Sequence, residues 1–110
     1  MGGPYSLGER AVGDHTWSEH PGVYKLMMTR YGPVRYVGRS DSDVRARLLQ
    51  HVREGDYNYF WVVHESDPVA AFLRECRLWH RHRGTIDNDK VHPARPAGCR
   101  EGCPTCSHYD

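Results

Sequence analysis

The sequence predicts a small α/β domain: a three-stranded, mainly antiparallel sheet flanked by helices, followed by an irregular C-terminal tail. Three observations predict it. The chain has 110 residues of which 38% are hydrophobic, enough for one domain with a thin core. Its apolar runs alternate in kind, two short β-type stretches around a turn, a helix-period stretch, another β-type stretch and a second helix-period stretch. Beyond Gly84 the period is lost, and prolines at 93, 96 and 104 break the backbone.

Each element has its own signal. Residues 1–20 are rich in Gly, Ser and His without a period, and are read as an N-terminal extension, a loop or short helix packing through Trp17. Val23 to Thr29 and Val34 to Gly38 read as strands joined by the turn residues Tyr31-Gly32-Pro33. Asp41 or Ser42 can cap a helix whose apolar positions Val44, Leu48 and Val52 are four apart, and Gly55 ends it. Phe60 to Val63 is a buried third strand. Ser66-Asp67-Pro68 is a helix start with proline in the first turn, and that helix runs to about His82, burying Val69, Phe72, Leu73, Cys76 and Trp79. The expected organisation is an extension over 1–20, a core over 21–90 and a cysteine-containing tail over 91–110 packed on the core.

Charge is uneven although the net value is only +1. Between Arg30 and Arg53 six arginines face Asp41 and Asp43, an excess of four positive charges. Arg74, Arg77, Arg81 and Arg83 face only Glu75, an excess of three. Arginine presents forked donors that suit phosphate, although a solvated helix face accounts for either cluster alone. No apolar run approaches the roughly 18 residues a membrane span requires, and no charged-then-apolar leader opens the chain. The expected compartment is therefore the cytoplasm.

Gly22-Val23-Tyr24 and Tyr36-Val37-Gly38 stand on the first two strands, a polar Arg39-Ser40-Asp41-Ser42-Asp43 link follows, Arg47 and His51 lie four apart on the first long helix, and Glu75 lies on the next. In this order the set resembles the GIY-YIG nuclease family over about Pro21 to Asn88. Neither tripeptide is specific by itself; the ordered set is. One departure is visible, a link between Gly38 and Arg47 one residue longer than the family pattern. The spacing of four to His51 selects Arg47, with Arg45 as the rival.

The resemblance implies a divalent-metal-dependent DNA endonuclease with Mg²⁺ or Mn²⁺ as cofactor and DNA as partner. In-line hydrolysis of a phosphodiester needs a base, a cationic stabiliser and a metal on the leaving side. Tyr24 would be the base or the group orienting the water, provided that nearby cations such as Arg47 and Arg39 bring its pKa down from about 10. Tyr36 and His51 would position water and relay the proton, Glu75 would hold the metal, and Asn88 resembles the family's late asparagine. Arg39, Arg45, Arg77 and Arg81 would hold substrate phosphates. Tyr24 and Tyr36 can share one face of the sheet only if paired residue numbers sum to an even value. Each residue also has a plainer reading: strand packing for the tyrosines, a surface charge for Arg47, a solvated histidine for His51, a salt bridge to Arg74 or Arg77 for Glu75, and turn chemistry for Asn88. A DNA-binding module that kept the fold without the chemistry is the competing class, and a metal-stabilised interaction domain is a third. So small a domain offers little surface for base readout, so low intrinsic sequence specificity is expected.

The four cysteines point to a second metal. Cys103-Pro104-Thr105-Cys106 has the spacing that sets two thiolates on one ion, and Cys76 and His80 lie four apart on the second long helix. A structural zinc at Cys76, His80, Cys103 and Cys106 would staple the tail, with Cys99, His92 and His108 as rival ligands. A buried core cysteine at 76 and free thiols in the tail are the alternative.

Overall fold

In a computed structural model that describes residues 1–110, the elements are β1 (Gly2–Ser6), α1 (Glu9–His15), β2 (Gly22–Met27), β3 (Tyr36–Ser40), α2 (Val44–Glu54), β4 (Tyr59–His64) and α3 (Pro68–His82). The sheet has four strands in the order β1-β4-β2-β3, and every neighbouring pair is antiparallel. The expected three strands are therefore corrected to four. The added strand comes from residues 2–6, where Gly2-Gly3-Pro4 carries no alternating side chains to announce it. β1 is specified by its partner, because it covers an edge that β4 would otherwise leave open. Trp17 is not the packing residue of this segment, being 62% exposed and stacked on His64. Val12 of α1 is fully buried in its place.

Helices cover both faces of the sheet. Tyr24 and Leu26 of β2 and Phe60 and Val62 of β4 pack with Val12 of α1 and with Val44 and Leu48 of α2. Val23, Met27 and Val37, on the opposite face, pack with Ala71, Leu78 and Trp79 of α3. β2 is thus buried on both sides, which explains its near-continuous apolar run.

The helix ends follow from local chemistry. Asp43, rather than Asp41 or Ser42, caps α2, its carboxylate accepting from the Ala46 N–H at 3.0 Å. Ser40 Oγ accepts from the Asp43 N–H at 2.9 Å and steadies that entry. Gly55 closes α2 at φ 73°, a left-handed conformation for which glycine has no steric cost. Asp67 caps α3 through the Ala70 N–H at 2.8 Å, with Pro68 in the first turn.

The segment after α3 runs along the free edge of β3. Asp87 N–H donates to Arg35 O at 2.6 Å, and the Asn88 side-chain amide donates to Val37 O at 2.7 Å and accepts from the Val37 N–H at 3.3 Å. Trp79 Nε1 donates to Asn88 O at 2.9 Å, tying this segment back to α3. Residues 91–110 contain no helix or strand. No helix is long and apolar enough to cross a membrane.

Candidate active site and metal centre

The β2/β3 register sets Tyr24 opposite Gly38 and Leu26 opposite Tyr36. The paired numbers sum to an even value, so Tyr24 and Tyr36 share the face that α2 covers. Gly38 is required by this pairing: a Cβ there would stand 2.8 Å from Tyr24 Cε2 and closer still to the hydroxyl. With that space free, the Tyr24 ring lies across β3 and its hydroxyl meets His51 Nε2 at 2.9 Å. The two tyrosine rings stack with centroids 6.2 Å apart, and His51 sits edge-on to Tyr36 at 5.0 Å. Arg47, one turn before His51 on α2, donates through Nη1 to Gln50 Oε1 at 2.6 Å. Its guanidinium stands close enough to both phenols to favour their ionised forms.

Burial dominates the electrostatics of this group. Tyr24 is fully buried, and desolvation first, then the neighbouring Tyr36, drives its pKa well above the usual phenol value against the pull of Arg47. The expectation that cations lower it is therefore corrected: Arg47 opposes the rise without reversing it. Tyr36, only half-buried, is raised for the same first reason. Burial lowers the pKa of His51, which leaves a neutral imidazole able to accept the Tyr24 proton at Nε2. The other nitrogen, Nδ1, is buried without a hydrogen bond and lies 3.6 Å from Glu54 Oε2. That arrangement fits the Nδ1–H tautomer, assigned from the partners on either side.

Glu75 lies on the opposite face. α3 packs on the side of β3 that carries Val37 and Arg39, and Arg39 Nη1 donates to Glu75 Oε1 at 2.8 Å. Arg39 also donates through Nε to Asp41 Oδ1 at 2.6 Å, and its guanidinium lies over the Phe72 ring. The ion pair of Glu75 is thus with Arg39, not with Arg74, which pairs with Glu65, nor with Arg77. Burial pushes the Glu75 carboxyl up to about 7 in spite of Arg39. The charge of Glu75 in turn raises both Tyr24 and Tyr36. Arg39 occupies both oxygens of Asp41 and one oxygen of Glu75, leaving Glu75 Oε2 free of hydrogen bonds.

The remaining candidates lie elsewhere. Arg45 is spent on α1, donating to Thr16 Oγ1 and Gly13 O at 3.0 Å each and to Thr16 O. Its guanidinium holds the C-terminal end of α1 and does not face Tyr24. Asn88 uses its amide on the edge of β3, as described. Arg77 and Arg81 are exposed on α3, one turn apart.

At the far end of α3 a second group converges. His80, His92, Cys103 and Cys106 bring one ligand atom each to within 4.8 Å of one another, a group that can hold a metal ion. Cys76, expected among the ligands, is replaced by His92. Cys76 faces inward, fully buried with Phe72 and Cys103, whereas His80, one turn later, reaches the partly exposed end of α3. Cys76 packs in the same apolar cluster as Cys103.

Three residues of these sites, Glu54, Asp41 and Tyr57, are given no site role by the sequence. Glu54 follows His51 by three and faces its Nδ1, a helical spacing that the sequence contains. Asp41 holds the back of Arg39. Tyr57 leans on Tyr36 with centroids 5.9 Å apart and donates to Asp87 Oδ2 at 2.7 Å, a contact between separate loops that no local spacing announces. No protein-family model matches the chain, and no curated protein or solved structure gives a significant match; the likeness to GIY-YIG nucleases rests on the motif residues themselves.

Proposed function

We propose that the chain is a divalent-metal-dependent DNA endonuclease of low intrinsic sequence specificity. The observation that carries this reading is the hydrogen bond of 2.9 Å from Tyr24 to a neutral His51, flanked by Tyr36 and Arg47 on one face of the sheet. A buried phenol is a poor base, because the tyrosinate would be left in a low-dielectric site. A phenol already donating to an imidazole avoids that state. As Tyr24 Oη takes a proton from an attacking water, its own proton passes to His51 Nε2, and the positive charge so formed faces Glu54. Tyr36, half-exposed on the solvent side of Tyr24, would orient the water. Arg47 would stabilise charge growing on the phosphoryl oxygens, while Arg77 and Arg81 would hold flanking phosphates. A Mg²⁺ or Mn²⁺ on Glu75 would supply Lewis-acid stabilisation of the leaving oxygen. A zinc in the His80, His92, Cys103 and Cys106 group would stiffen the tail and take no part in hydrolysis.

The binding-module reading also has an observation in its favour, since Arg39 already neutralises Glu75 and Tyr24 is sealed from solvent. Supercoiled plasmid incubated with Mg²⁺ or Mn²⁺ separates the two. Nicking or linearisation is expected, reduced roughly 10²–10³-fold by Arg47→Ala and roughly 10²–10⁴-fold by His51→Ala, with DNA binding retained. Absence of cleavage under both metals, with salt-sensitive binding intact, would establish the binding module and overturn the enzyme.

A further inference from the structure

We propose that His80, His92, Cys103 and Cys106 form a closed structural zinc site that fastens the C-terminal tail to α3, independently of any nuclease activity. The donor set is two imidazoles and two thiols, the borderline-soft combination that selects zinc over Mg²⁺ or Ca²⁺. Four protein ligands leave no position for water or substrate, which makes the site structural.

The geometry is close to assembled. Zinc binds sulfur at about 2.3 Å and imidazole nitrogen at about 2.0–2.1 Å, so tetrahedral donors stand about 3.3–3.8 Å apart. Cys106 Sγ and His92 Nε2 are already 3.3 Å apart, and no pair in the group exceeds 4.8 Å. The other nitrogen of His92 is committed: Nδ1 lies 2.9 Å from Pro93 O, a bond that fixes the tautomer with Nε2 free to ligate. His80 Nε2 is buried with no hydrogen-bond partner, an orphan that a metal would satisfy.

The tail also needs such a fastening. Its apolar attachment is a cluster with only three buried members, Phe72, Cys76 and Cys103, and it has no helix or strand of its own. Metal binding energy is folding energy where so little core exists. Three of the ligands come from the tail and one from α3, so one ion closes a loop that apolar burial alone holds weakly.

Purified full-length protein should contain about one zinc per chain. Replacing it with Co²⁺ should give the visible bands of a tetrahedral site together with thiolate-to-cobalt charge transfer. Trp79 contacts both histidines, with ring centroids 5.0 Å from His80 and 5.3 Å from His92, so its fluorescence should change on metal removal. Cys103→Ser and His92→Ala should lose the metal, while Cys99→Ser and Cys76→Ala should keep it. Circular dichroism of the sheet and helices checks that each variant is folded, and none of these readouts depends on DNA cleavage. Protein that takes up neither zinc nor Co²⁺, with the same melting temperature in chelator, would overturn the site. Metal retained by His92→Ala and lost from Cys76→Ala would replace it with a site around Cys76.

Discussion

Glu75 illustrates how one side chain can be placed by the sheet and tuned by its depth. Its carboxylate faces Arg39, which favours ionisation, yet desolvation is the larger effect and its proton is held to about pH 7. The folded chain therefore binds more protons than the unfolded chain between the ordinary value of 4.5 and about 7. Over that window stability falls as pH rises. Glu75→Gln lacks the titration, so its stability relative to the parent should improve by about 1–3 kcal/mol from the acid to the alkaline side of the window. Urea unfolding of both proteins below pH 4.5 and above pH 7 measures the difference. A pH-independent difference would mean that Arg39 fully offsets burial. Plasmid cleavage should rise over the same range, because a cation and a proton compete for the same oxygens. The division of arginines is also a matter of single residues. The spacing of four to His51 selects Arg47, and in the structure Arg47 lies near the two phenols while Arg45 is bonded to α1. Nothing in the sequence shows that Arg45 closes α1, because the Gly13 and Thr16 carbonyls it meets lie about 30 positions away.

At the scale of elements, β2 and β3 form the frame on which the site depends. The tripeptides Gly22-Val23-Tyr24 and Tyr36-Val37-Gly38 use their glycines differently: Tyr24 needs β3 to be slim at Gly38, whereas a Cβ on Gly22 would meet Val63 O and the Val44 side chain of α2. Gly38→Ala would set a methyl against Tyr24, and the ring would have to leave β3 and break its bond to His51. Overpacking at such a contact costs about 1–3 kcal/mol, and cleavage should fall at least as far as in Tyr24→Phe. Melting and plasmid nicking of both variants check this; Gly38→Ala with parental activity would show that the Tyr24–His51 contact is dispensable. The β2–β3 hairpin, α2, β4 and α3 are legible because period, caps and turn residues are local signals. The separation of Arg39 and Glu75 from the tyrosines is a consequence of parity, since residues 36 and 39 point to opposite faces. The replacement of Cys76 by His92 was not legible, as the course of residues 85–92 is set by the β3 edge and not by any period of its own.

Across the whole molecule, the largest departure from the sequence reading is the part played by residues 1–20. Read as an extension to a core over 21–90, they instead complete the fold. β1 pairs with β4, Val12 is fully buried against the α2 face, and Tyr5 and Leu7 pack on the same cluster. Arg45 ties the end of α1 to α2. Full burial of an apolar side chain of this size contributes about 1.5–3 kcal/mol, and Tyr5 and Leu7 are only partly buried, so the loss of Val12 together with these two amounts to roughly 3–6 kcal/mol. That is comparable to the whole stability of about 5–15 kcal/mol typical of a domain. Removal would also open the β4 edge, a template for pairing with another chain. A chain beginning at Pro21 should therefore lose cooperative thermal unfolding and associate, whereas Trp17→Ala in the full chain should change stability by no more than about 0.5 kcal/mol, because Trp17 is 62% exposed. Circular dichroism melting with light scattering distinguishes these outcomes. A monomer of residues 21–110 that unfolds cooperatively at the parental temperature would show that the two core layers stand without β1 and α1, and that the four-stranded sheet is not the folding unit.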